Sequence, residues 1–211
     1  YRMLVQKFEQ GLFESPFVDA TTADELVGSG QARAAGRNAQ RRSIICLKKP
    51  SSVNSSTRYY LENFADSQAD EVTSLNDADA AIIKLSTPHE DLHPNFFFGS
   101  RQQEGDIDFK PTLQVAKRII ALSKKVPTIA VIQMSRPAVV TDIINDLDGL
   151  YVDLGVSDDL MINAISSQIE TEGTLPFELP RSMHAVRSQR PDFPSDSENA
   201  LFQVGADYKK Q

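Results

Sequence analysis

Hydrophobic positions along the chain change their spacing several times, and each change marks an element. From Ala80 the run AAIIKL follows an acidic, turn-forming NDAD and reads as a buried strand, since so short a block of Ile and Leu is stable only when covered. The run TIAVIQM, residues 128–134, is apolar at nearly every position, as a central parallel strand with both faces covered requires. Ser43 to Leu47, Arg58 to Glu62 and Leu150 to Leu154 carry further strand signals. Helical spacing occupies the intervals. Met3, Leu4 and Phe8 fall near one face of a helix over residues 2–10, which Gly11 is placed to stop. Thr21 or Thr22 offers an N-cap for a long Ala-rich helix from Ala23 to about Arg42, despite Gly28, Gly30 and Gly36, and Arg41 and Arg42 suit its C-terminus. Pro111 opens a helix with Val115, Ile119 and Leu122 on one face, and Pro137 opens another with Val140, Ile143, Ile144 and Leu147 at the i, i+3, i+4, i+7 spacing. Ser157 caps a last one, Asp158 to Ile169. Strands alternating with helices across short turns predict an α/β fold, a three-layer sandwich whose mainly parallel sheet has helices on both faces. The proline-studded end of the chain reads as an extended tail laid over the domain or reaching toward a neighbour.

Between Ala80 and Lys110 the pattern fails. After the strand comes STPHEDLHPNFFFGSRQQEGDIDFK, with no periodic segment before Pro111, and unpatterned connections longer than roughly 12 to 15 residues are usually functional or disordered. Its Phe, His and carboxylate content favours function. Ligands of such sheets bind outside the carboxyl ends of the parallel strands, which is where this loop and the tight turn Ser135, Arg136, Pro137 both leave.

Composition narrows the partners. Twenty-two basic residues against twenty-nine acidic ones leave a net charge of -7, which repels phosphate backbones and anionic membrane surfaces, so neither nucleic acid nor membrane is expected. No apolar segment approaches the roughly 20 residues needed to span a bilayer. The single cysteine, Cys46 in SIICL, reads as a core residue. His89 and His93 flank Glu90 at a tempting spacing, but Pro88 and Pro94 oppose the helix that would bring both imidazoles to one metal, so no metal is expected. The glycines of GSGQARAAG follow no strong strand and form no phosphate-binding fingerprint, and no cofactor is implied. A chain that opens at Tyr1 inside a helical pattern suggests a processed or excised piece, and its compartment is left open.

Several blocks, in order, carry a family resemblance: KFEQGLFESPFVD, AQRRSIICLKK, VPTIAVIQMSRPAVV, GTLPFELPRSMHAV and PDFPSDSENALFQVGADY. Together they resemble the carboxy-terminal α/β sandwich domain of glycoside hydrolase family 3, of the β-glucosidase type, a flavodoxin-like architecture. The resemblance implies that residues 1–20 are the end of a preceding (β/α)8 barrel domain and its linker, and that residues 21–211 are the sandwich domain. There are departures. Ser135 stands where a glycine is usual, Ala206 and Asp207 replace a usual Gly-Leu, and KKPSSVNSST interrupts the step after the first strand. The common "E..DR" pattern of the long loop is absent; TPHED is similar instead to an "aPyEp" variant.

Retaining glycosidases need two carboxyl groups roughly 5 to 5.5 Å apart, a nucleophile and an acid/base. The family's nucleophile is an Asp on the barrel, which this chain lacks, so the isolated chain is expected to be inactive and the barrel to be its partner. The resemblance places the acid/base on the long loop: Glu90, with Glu104 as the alternative. Phe96, Phe97 and Phe98 are candidates to wall the acid or stack on a sugar ring, or else to fix the loop in the core, and Arg101 is a candidate contact to substrate hydroxyls. The implied substrate is a β-linked oligosaccharide or glycoside, cleaved at its O-glycosidic bond by an exo-acting enzyme. Two other readings stand beside this: a non-catalytic structural or carbohydrate-binding domain of such an enzyme, and a free-standing flavodoxin-like regulatory module.

Overall fold

The computed structural model describes residues 1–65, 71–98 and 101–209. It divides into two compact units, Tyr1–Ala39 and the chain from Gln40 onward. The first unit holds α1 (Arg2–Glu9), α2 (Ala20–Leu26) and most of α3 (Gly30–Ser43), and none of these helices buries a residue. The expected helix from Ala23 to Arg42 is thus two helices. The cap of the first is Asp19, whose carboxylate accepts from the Thr21 and Thr22 backbone N–H groups, both at 3.3 Å, and not either threonine. The break has a local cause: Gly28 takes a left-handed φ of +70° that ordinary helix residues avoid, and Ser29 Oγ accepts from the Ala32 N–H at 3.3 Å to start the next helix.

The second unit is built on a five-stranded sheet. Its strands are β1 (Ile45–Lys48), β2 (Tyr59–Glu62), β3 (Ala80–Ser86), β4 (Thr128–Gln133) and β5 (Gly149–Asp153), in the spatial order β1-β5-β4-β3-β2. The β2–β3, β3–β4 and β4–β5 pairs are parallel; only β1 runs antiparallel, against β5. Alternation along the strands feeds two cores. Ala81, Ile83, Ala130, Ile132, Leu150 and Val152 face a core completed by Ala116, Ile119 and Leu122 of α4 (Gln114–Ser123). Ala80, Ile82, Ile129, Val131 and Tyr151 face the other, completed by Leu160, Met161, Ala164 and Ile165 of α5 (Asp158–Ile165). Each fully buried Ile or Leu here contributes about 1.5–3 kcal/mol over leaving it in water, so both helices are held chiefly by their apolar faces. Cys46 is buried in the second core, and burial pushes its thiol up to about 11.

Several expected boundaries move, for local reasons. The helix after Pro111 begins at Gln114, because the Leu113 N–H first closes a turn on the Lys110 carbonyl at 2.9 Å. No helix follows Pro137. Val139 instead pairs with the loop, its N–H donating to Ile107 O and its carbonyl accepting from Phe109 N–H, both at 3.1 Å, and separate turns follow at Val140–Asp146. Val140, Ile143 and Leu147 are buried all the same, so the apolar spacing was satisfied by packing without the helix. Ser157 does precede α5, but its side chain makes no capping bond, and the helix ends at Ile165 with Ser167 at φ +62° shortly after. The tail lies over the domain: Leu179 bridges Phe202, Leu175 N–H donates to Ala206 O at 3.0 Å, and Tyr208 N–H donates to Cys46 O at 2.8 Å. It also forms a short α6 (Met183–Ser188), which its composition did not announce. Among the described residues no helix is long and apolar enough to cross a membrane.

Candidate active site

Where β3 ends, Thr87 fixes the exit of the long loop: its N–H donates to Gln133 O at 3.2 Å and its hydroxyl to Arg136 O at 2.8 Å. The loop then doubles back. Glu90 N–H donates to Glu104 O at 2.9 Å in an isolated antiparallel bridge, and Asp108 bridges Val139 before Phe109 sinks fully into the core. The stretch that lacks any sequence period is therefore a closed excursion, pinned at Thr87, at the Glu90–Glu104 bridge and at Phe109. Glu104 also meets His93, with His93 Nδ1 and Glu104 Oε2 2.6 Å apart, and Phe96 packs edge-on to the His93 ring at 5.5 Å between centroids.

Beside this excursion, outside the carboxyl ends of β3 and β4, opens a cleft of about 590 Å³. Its chemistry is mixed. Glu90, Asp106, Asp108, Lys110 and Gln133 supply donors and acceptors, while Leu85, Leu113 and Val115 give it an apolar strip. Asp106 is held by Lys110 Nζ at 2.5 Å and by Arg187 of α6 at 2.6 Å. The Lys110 bond, helped by Arg187, keeps the Asp106 carboxyl below its ordinary value, and Asp106 in turn raises Lys110. Asp106 is therefore a fixed anion near neutral pH and has no proton to donate. Deeper, Lys84 Nζ reaches Asp158 at 2.7 Å and Asp153 at 3.2 Å, tying β3 to β5 and to the first turn of α5.

The two proposed acids are thus brought together across one bridge, but differently disposed. Glu90 is exposed and lines the cleft, whereas Glu104 is half-buried and paired with His93. Phe96, Phe97 and Phe98 do not enter the core; Phe97 is 90% exposed, stacked edge-on with Phe98 at 4.6 Å. Arg101 is exposed too and lies outside the cleft lining. Sequence reasoning missed Lys110, Asn63, Gln114 and Gln133 as cleft residues. For Gln133 a signal existed, as the last residue of the clearest strand; Gln114 enters from the first position of α4, and Asn63 and Lys110 reach the cleft from irregular segments that no local pattern announces. Among the described residues no group of three or more His, Cys, Asp or Glu is arranged to hold a metal ion.

No family model matches the chain. It is, however, 38% identical over 211 residues to the periplasmic beta-glucosidase/beta-xylosidase of Dickeya chrysanthemi, covering 97% of this chain and 32% of that protein. It is 34% identical over 218 residues to beta-glucosidase C of Emericella nidulans, covering 97% and 34%. The fold is that of solved β-glucosidases. The Listeria innocua enzyme in complex with isofagomine superposes with a TM-score of 0.68 at 15% identity, over 98% of this chain and 38% of that one, and a glycoside hydrolase family 3 β-glucosidase of Neurospora crassa with 0.62 at 10%, over 85% and 32%.

Its relatives and structural neighbours are glycoside hydrolase family 3 β-glucosidases.

The chain spans about a third of the length of the curated relatives it matches, and its fold is consistent with the carboxy-terminal α/β sandwich domain of that family. Ser135, where the sequence departs from the pattern it resembles, hydrogen-bonds through its hydroxyl to Gln103 Oε1, adding a tie between the β4 turn and the long loop.

Proposed function

We propose that this chain is the second domain of a retaining, exo-acting β-glycosidase of the β-glucosidase type, in which it walls the sugar pocket and supplies the acid/base through Glu90. The nucleophile is an Asp on a (β/α)8 barrel that precedes it, residues 1–20 being the end of that barrel and its linker and residues 21–211 the sandwich domain. The observation that carries the reading is Glu90, held by the Glu104 bridge at the rim of a polar cleft outside the carboxyl ends of β3 and β4. Carboxylates, amides and an ammonium beside an apolar strip suit a ring with hydroxyls on its edge and C–H groups on its faces. Exposed Met3, Leu4, Phe8 and Phe17 in the first unit support a preceding domain that covers them.

In this mechanism the barrel Asp attacks the anomeric carbon while Glu90 protonates the departing oxygen. Glu90, now a carboxylate, then takes a proton from the water that releases the sugar. Exposure in the isolated domain is compatible with that duty, since the acid's apolar surroundings come from the docked barrel and substrate. With the barrel rejoined, hydrolysis of an aryl β-glucoside is expected to return, and Glu90→Ala to slow glycosides with poor leaving groups far more than those with good ones. Equal rates for wild type and variant on both would remove Glu90 from the role.

A second reading keeps the domain architectural or carbohydrate-binding, with the acid on the barrel. The exposure of Glu90 and of the three phenylalanines favours it. A glucose-like inhibitor soaked into the two-domain enzyme separates the readings: here no atom of the long loop would approach the glycosidic oxygen.

A further inference from the structure

Opposite the cleft, the wall that carries Glu104 is held from behind by one side chain. Arg136, in the turn after β4, directs its guanidinium at three backbone carbonyls: Pro88 at 3.1 Å, Glu104 at 3.2 Å and Gly105 at 3.4 Å. Pro88 belongs to the outgoing arm of the loop, and Glu104 and Gly105 to the returning arm. Glu90 lies between these grips, and the same Glu104 carbonyl that receives Arg136 also receives the Glu90 N–H at 2.9 Å. The Thr87 hydroxyl closes the arrangement by donating to the Arg136 carbonyl at 2.8 Å. Segment 105–108 shows the sidedness: Asp106 and Asp108 line the polar cleft, while Gly105 and Ile107 join Arg136 around a second, proline-rich cavity behind it.

This arginine is expensive to keep. Its three bonded acceptors are backbone carbonyls and none is a carboxylate, its buried Nε has no partner among the described residues, and burial pulls its ionisation below the usual arginine value. The planar guanidinium bonds both antiparallel arms at once with donors in fixed directions, whereas an ammonium on a flexible stem has no fixed fork to hold their spacing.

We propose that Arg136 is the positioning residue for Glu90: it sets the spacing of the loop's two arms and thereby the height of the Glu90 carboxyl over the cleft. The proposal rests on the reading of Glu90 as the acid/base. Misplacing a proton donor slows the steps that need the proton and spares those that do not.

The test is made in the full-length polypeptide with Arg136→Lys, Arg136→Ala and Glu90→Gln. The readouts are kcat and KM on an alkyl β-glucoside and on 2,4-dinitrophenyl β-glucoside, with thermal unfolding alongside. For Arg136→Lys the expected result is a fall of about tenfold or more in kcat on the alkyl glucoside, which corresponds to about 1.4 kcal/mol. KM and the dinitrophenyl rate should change by no more than about twofold, and Tm should stay near wild type. If Arg136→Ala fails to fold, the lysine variant decides. Equal losses on the two substrates, or none on either, would overturn the positioning role. If Glu90→Gln shows the leaving-group split and Arg136→Lys does not, the inference fails and the acid assignment stands. If Glu90→Gln itself shows no split, both fall.

Discussion

Gly105 lies directly against the Glu90 side chain. A methyl group added at Gly105 would stand 2.7 Å from Glu90 Cβ and 2.8 Å from its carboxyl carbon, with Oε2 nearer still, and Gly105 itself has a φ of +73°. Only glycine satisfies both conditions without strain. Gly105→Ala is therefore expected to cost about 1–2 kcal/mol for the left-handed backbone alone, and to push the Glu90 carboxyl off its present seat. Urea unfolding of the chain measures the first effect. A crystal structure of the variant measures the second; an unmoved Glu90 would contradict this account.

Phe97 offers a contrast, because its 90% exposure leaves it almost nothing to lose on truncation. Phe97→Ala is expected to change stability by no more than about 0.5 kcal/mol. If the phenylalanine lines a sugar subsite in the complete enzyme, the same variant raises KM for an oligosaccharide while leaving that for a small aryl glucoside unchanged. A large loss of stability in the isolated chain would mean that the ring packs inward.

Phe109 is the inward counterpart, fully buried where the long loop re-enters the fold and bonded through its backbone to Val139 at 3.1 Å. Phe109→Ala removes a whole ring from the core shared with α4 and is expected to cost about 3–5 kcal/mol. Phe109→Leu, which refills most of the volume, should recover much of that in the same denaturation experiment. Since the loop is pinned at this residue, the alanine variant should also speed hydrogen exchange at the Glu90 amide, which a purely local cavity would leave alone.

Arg58 and Asp79 give the pH dependence a sign. The Asp79 carboxylate accepts from Arg58 Nε at 3.1 Å, from Nη2 at 3.0 Å and from the Arg58 backbone N–H at 3.0 Å, and the arginine side chain's bonds depress its pKa from 3.8 to about 2. A depressed folded value means that the contribution to stability is fully present above the unfolded pKa and is lost as pH falls from about 4 toward 2. A carboxyl NMR titration should place the Asp79 midpoint near 2, and Arg58→Gln should return it toward 3.8. A wild-type midpoint already near the ordinary value would refute the pairing in solution.

Much of the fold was legible in the sequence because it rests on local regularities. The strands at Ala80–Ser86 and Thr128–Gln133 are mostly apolar and buried, α4 keeps its core residues on one face and α5 is apolar through most of its length, so burial specifies them. The residues after Pro137 mark the limit. Val140, Ile143 and Leu147 have helical spacing and are buried, yet Val139 is claimed by hydrogen bonds to Ile107 and Phe109 some thirty positions earlier, and the helix does not form. No pattern read along the chain can announce a partner that distant.

The candidate site divides the same way. Residue types and order identified Glu90 and Glu104 on a loop leaving a strand end, because carboxylates and aromatics in an unpatterned stretch stand out chemically. Tertiary structure alone decided that the two meet across a backbone bridge, that Glu104 is taken up by His93, and that the Asp106 carboxylate is ion-paired with Arg187 from the tail. It alone decided, too, that Phe96, Phe97 and Phe98 face solvent. Sequence by itself determined the alternation of strands and helices and the chemistry the long loop carries, since both depend on neighbours a few residues apart. Which carboxylate faces the cleft, and what holds it there, depends on contacts between segments far apart in the chain, and those exist only once the sheet has brought them together.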